Sequence, residues 1–135
     1  MKRVFLLLFI FSIVVGLTSC VVFKSPPDIR GTWESIVKNG DYTTTLQIKI
    51  KTQNGENFSG EYYESSSLGT YTLFFSNGKI DNEGNFSFKI EEESNGSTMA
   101  LSISGKVNGN TMSATMIITI DGEKYGELSL SFSKK

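Results

Sequence analysis

Cys20 is the only thiol in a chain of 135 residues, and it stands directly behind an apolar run, Val4 to Leu17, that Lys2 and Arg3 precede. A single thiol can act as a nucleophile or as a point of covalent attachment, but without a second cysteine it closes no internal disulfide. The chain has no histidine, so the usual base near neutral pH and the commonest metal ligand are both missing. Carboxylates are what remain for acid–base chemistry. A glycosidase needs two of them converging in one cleft, one with a raised pKa. Glu61 and Glu64 lie three residues apart on an alternating stretch, which turns them to opposite sides. Glu91-Glu92-Glu93 falls in what reads as a loop, and it reads as solvated charge because calcium requires at least about six oxygens in a shaped loop. No Gly-x-Ser-x-Gly elbow and no phosphate-binding glycine loop occurs. These residues point away from an enzyme, and no pattern among them calls for a cofactor or a metal.

The N-terminus has a different chemistry. A basic start, an apolar core and small residues before the cysteine read as a signal peptide over 1–19. Leu17-Thr18-Ser19-Cys20 resembles the bacterial lipoprotein box, in which a Leu three places upstream and a small residue just before the Cys fit the lipoprotein signal peptidase. That resemblance implies that Cys20 carries a diacylglycerol and begins the mature protein. It places the protein in the cell envelope, lipid-anchored and extracytoplasmic, at the outer membrane or the periplasmic face if the host is diderm. Val21 after the Cys, rather than Asp, favours the outer membrane by the same resemblance. Two or three acyl chains hold stably because each buried methylene contributes ~0.8 kcal/mol. The other reading is an uncleaved anchor, since Val4 to Phe23 has about the 20 residues that span a bilayer. Thr18-Ser19-Cys20 interrupts that run.

Residues 20–28 read as a lipid-anchored linker, where Lys24-Ser25-Pro26-Pro27 favours an extended spacer over a helix. Removing Lys2 and Arg3 from the 13 basic residues leaves 11 against 14 acidic ones, a net charge of -3. A surface with no basic stripe does not attract nucleic acid. The membrane, reached through Cys20, is the first partner expected.

From Ile29 to the end, apolar residues recur at every second position between Gly and Asn punctuation, which predicts half-buried strands and no helix. Tyr42, Thr44, Leu46, Ile48 and Ile50 share one face, and Phe58, Gly60 and Tyr62 continue it on the next strand. Tyr71, Leu73 and Phe75 follow, then Phe86, Phe88 and Ile90. The last third adds Met99 to Val107, Met112 to Ile120, and Leu128 to Phe132, and with Thr32 to Ile36 the count reaches eight. Short connections favour an antiparallel up-and-down meander, and closing it removes exposed edges. The expectation for residues 29–135 is therefore an all-β, eight-stranded closed barrel.

Asn54-Gly55, Asn82-Glu83-Gly84 and Asn108-Gly109 occupy alternate turns and should line one end as tight hairpins. Longer connections at 38–41, 64–68 and 91–96, joined by the short Asp121-Gly122 turn, should line the other.

Gly31-Thr32-Trp33 resembles the Gly-x-Trp motif of the calycins, the lipocalin and avidin superfamily, whose Trp plugs the closed end of the barrel. Gly31 and Trp33 are thus expected to be structural. Gly31 to Ser35 and Phe58 to Tyr62 are similar to the first and third strands of avidins, and Ser35 and Tyr62 match polar positions near the avidin ligand. Glu64 stands where that family has a serine. Trp33 is the only tryptophan, so the late-strand aromatic box of avidins is absent and the resemblance does not extend to biotin.

A lipocalin-like barrel of eight strands is either filled by side chains or holds one small ligand. The expected mouth residues are Tyr42, Thr44, Tyr62, Tyr71, Ile90, Met99, Ile118 and Tyr125, with Ile120 beside them. Apolar walls with a few phenols suit a small hydrophobic ligand. The alternative is a filled barrel acting as an envelope protein-interaction or inhibitor module, with Tyr63 and Phe74 as outward-facing aromatics.

Overall fold

Alternation becomes strand throughout the domain. The computed structural model describes residues 24–135; Cys20 and the signal peptide expected over 1–19 lie outside the described residues. The strands are β1 (Gly31–Asn39), β2 (Tyr42–Asn54), β3 (Asn57–Ser66), β4 (Gly69–Ile80), β5 (Asn85–Ser94), β6 (Ser97–Asn108), β7 (Thr111–Ile120) and β8 (Glu123–Lys134). Each pairs antiparallel with its neighbour in sequence, and β8 returns to β1, closing the barrel. The inward register carries a core that includes Leu46, Ile48, Phe58, Ile103, Met116 and Phe132, all buried.

The two ends differ from the expected division of turns. At the mouth, all four connections are two-residue turns, at 40–41, 67–68, 95–96 and 121–122. Asn95 and Gly96, like Asp121 and Gly122, have positive φ at both central residues, the geometry that matches hairpin twist. The only longer connection, 81–84, lies at the opposite end, where a tight turn was expected. Asp81 organises it by accepting from the backbone N–H groups of Glu83 and Asn85, each at 2.9 Å. Glu91-Glu92-Glu93 is not a loop: it completes β5 and pairs with Ala100, Met99 and Thr98 of β6.

The closed end is plugged. Trp33 is fully buried and donates its indole N–H to the carbonyl of Ile29 at 2.9 Å, while the Lys134 ammonium lies 5.4 Å from the ring centre. Ile29 is fully buried too, and Gln53 pins the crossing segment by accepting from Ile29 N and donating to Pro27 O, both at 2.9 Å. Above this base, Phe75 and Phe88 stack at 3.9 Å, and Phe58 meets both edge-on at 5.8 and 6.1 Å. Stacked and edge-to-face arrangements of this kind are the favoured aromatic geometries, and they occupy the waist of the barrel.

Toward the mouth the barrel loosens along two seams. β4 and β5 pair only through Lys79–Ser87 and Ile80–Phe86, and β1 and β8 only through Trp33–Lys134 and Glu34–Ser133. A register shift between β3 and β4 at Phe58/Gly60 bends β4, and the Asn77 side chain then stands in for backbone, bonding both N and O of Lys89 at 3.0 and 2.9 Å. Two four-stranded halves are thus joined firmly at the closed end and part above the waist. The opened edges carry Lys38, Glu91, Glu93, Lys124 and Glu127, charges that discourage edge-to-edge association.

Candidate functional site

The parted upper half encloses a cavity of about 250 Å³. Leu46 on β2, Leu101 on β6, Met116 and Ile118 on β7, Leu128 on β8 and Val37 on β1 form an apolar wall. Thr44, Tyr62, Glu64 and Tyr71 form the polar side. Leu128 is an inward residue yet 45% exposed, because the β1–β8 seam beside it is open.

Strand periodicity assembles the polar group. Tyr62 and Glu64 are two residues apart on β3 and share its inward face, and Tyr71 lies directly opposite Glu64 on β4. Both phenols donate to the same carboxylate oxygen, Oε2 of Glu64, Tyr62 at 2.9 Å and Tyr71 at 2.5 Å. Their rings are 6.3 Å apart and tilted by 48°. Burial first, and the charge of the Glu64 carboxylate second, push the Tyr62 phenol well above its ordinary range. Tyr71 is raised by burial and then by its hydrogen bond to Glu64. Both phenols therefore stay protonated and keep donating at any physiological pH.

Of the residues expected at the mouth, Thr44, Tyr62, Tyr71 and Ile118 meet around this cavity. Ile90 is buried in the core but not on the cavity wall, and Met99 is half-buried beside it. Tyr42 and Tyr125 are 66% and 77% exposed and face water outside the cavity. Tyr125 faces out by simple alternation, since its neighbour Gly126 pairs with the inward Ile118, and it is the extra residue where the β7–β8 pairing shifts. Gly31 has a φ of 125°, which only glycine adopts readily, and it leads into Trp33 at the plug. Glu64, Leu101, Met116 and Leu128 are cavity residues absent from the expected mouth set. Inward parity placed Leu101, Met116 and Leu128 on the core face, whereas Glu64 was expected at the start of the 64–68 connection and instead continues β3 two residues beyond Tyr62.

A larger depression of about 690 Å³ lies across the outside of β6–β8, lined by Ser104, Ser113, Thr115, Ser129 and Ser131. It is shallow and open, with Ala114 and Leu130 among the hydroxyls, so it offers no enclosure. Among the described residues, no three His, Cys, Asp or Glu side chains gather as metal ligands. Protein-family models, curated proteins and solved structures offer no match to this chain.

Proposed function

We propose that this is an envelope lipoprotein, tethered through Cys20, with a lipocalin-like barrel that binds a small hydrophobic ligand in the cavity at its mouth. The observation that carries the reading is the contrast along the barrel axis: a packed, plugged lower half beneath a half-enclosed apolar cavity. Ligand pockets are concave, mostly apolar, and furnished with a few convergent polar groups. At about 30 Å³ per water, 250 Å³ accommodates about eight water-sized groups, so the ligand is small.

Orientation agrees with a tethered receptor. The chain enters across the closed end, where Pro27 and Ile29 are pinned by Gln53, so a membrane anchor upstream leaves the mouth facing away from the bilayer. The alternative, a protein-interaction module, draws on Phe74, which is 71% exposed on the outer face of β4. Tyr63 gives it little support, because Lys49 covers that ring at 5.0 Å, and single exposed aromatics are ordinary.

Cys20→Ala, once its signal peptide has been removed, is expected to move from the membrane to the soluble fraction, read by fractionation with the N-terminus of the product checked by mass; a processed variant that stays with the membrane contradicts the tether. For the cavity, the probe is hexan-1-ol added to the full chain in lipid nanodiscs, with empty nanodiscs as control. Burying about six methylenes at ~0.8 kcal/mol each gives saturable binding with a Kd on the order of a millimolar. Uptake equal to that of empty nanodiscs would remove the ligand-binding reading.

A further inference from the structure

The carboxylate in an otherwise apolar cavity specifies more than hydrophobicity. Both phenols converge on Oε2 of Glu64, and among the described residues Oε1 accepts no hydrogen bond. Nor does Glu64 take part in any of the ion pairs of the described residues, which engage Asp28, Glu34, Glu61, Glu91 and Glu127. No lysine or arginine lines the cavity. An acid held in place by two donors, with one oxygen to spare and no basic partner, is a receptor for a cation.

The surroundings point the same way. The mouth half of the barrel carries Asp41, Asp121, Glu123, Glu127 and the Glu91–Glu93 run, against Lys38, Lys89 and Lys124. Lys89 and Lys124 are themselves paired with Glu91 and Glu127. Such a rim concentrates cations at the entrance and repels carboxylates. Inside, the two tilted phenol rings add electron-rich faces that favour a positive group, and their oxygens retain lone pairs for its remaining N–H donors.

Resting on the reading of the mouth cavity as a ligand site, we infer that its ligand class is a small primary alkylammonium ion, with the ammonium at Glu64 Oε1 and the chain along Leu101, Met116 and Ile118. The cavity volume limits the chain to about six carbons. A fatty acid of the same length is disfavoured by charge, and a neutral alcohol fits but forfeits the charge-assisted bond.

The test compares hexylammonium, hexan-1-ol and hexanoate on the full chain in nanodiscs by calorimetry, with empty nanodiscs subtracted. Hexylammonium should bind about tenfold more tightly than hexan-1-ol, the ratio expected when a neutral hydrogen bond becomes charge-assisted. Hexanoate should bind more weakly than the alcohol. In Glu64→Gln the ammonium-to-alcohol ratio should collapse to near one. Equal affinities for ammonium and alcohol in the natural chain, or a ratio that survives Glu64→Gln, overturn the cation inference while leaving the cavity reading intact. Absence of binding by all three overturns both. Should Glu64→Gln lose its near-ultraviolet circular dichroism, the ranking of the three probes on the natural chain decides alone.

Discussion

Trp33→Ala is expected to cost about 3–5 kcal/mol, the range for removing a large buried aromatic side chain. Trp33 is fully buried, and its N–H bond to the Ile29 carbonyl holds the segment that crosses the base. Removal leaves a cavity, an unpaired carbonyl and a loosened plug at once. The closed end is also where the two half-barrels are joined, since the few β1–β8 pairs begin at Trp33 itself. Against a typical stability of about 5–15 kcal/mol, the loss lowers the melting temperature by more than about 10 °C. Trp33→Phe keeps most of the apolar volume and should fall between the two. A Trp33→Ala melt within a few degrees of the natural protein would contradict the plug.

Gly105→Ala is the second large effect, and it works by collision. A Cβ at this position would lie 1.8 Å from the carbonyl oxygen of Ser113 and 2.8 Å from Ala114 Cα. Both obstacles are backbone, so no rotamer change relieves them, and β6 must move away from β7 along a fully paired ladder. Glycines at such points let barrel strands bend and approach closely. Overpacking ordinarily costs 1–3 kcal/mol, and a backbone obstacle puts Gly105→Ala at about 3 kcal/mol or more. Gly126 is the internal control, because a Cβ there meets nothing within 4 Å and its φ needs no glycine. Gly126→Ala should stay within about 0.5 kcal/mol. Urea midpoints of the two variants give the comparison, and equal shifts would contradict it.

The barrel and its inward face were legible because burial on one side writes itself as alternation. From Leu46 to Phe132, most of the side chains expected inward form the core, and the exceptions, Tyr71, Met99, Ile120 and Leu128, all lie toward the mouth. The mouth was less legible for the same reason: where both faces of a strand are wet, nothing forces apolar residues onto every second position. Glu91-Glu92-Glu93 therefore looks like a loop, although it pairs in register with Thr98 to Ala100. The openness of the upper half depends on the shift near Phe58/Gly60 and on Asn77 substituting for backbone, features that leave no periodic trace. Glu64 could be read as inward from its spacing to Tyr62. Its meeting with Tyr71 required the β3–β4 register.

The account turns on where a small ligand sits, and the barrel's methionines report it. Met116 lines the mouth cavity, whereas Met112 is buried near the closed end, where it pairs with Phe132. With methionine methyls labelled with carbon-13 in the full chain, titration with hexan-1-ol should shift the Met116 signal saturably and leave Met112 in place. Equal movement of both, or movement of neither while the alcohol still associates, would mean that the ligand lies elsewhere and would contradict the account.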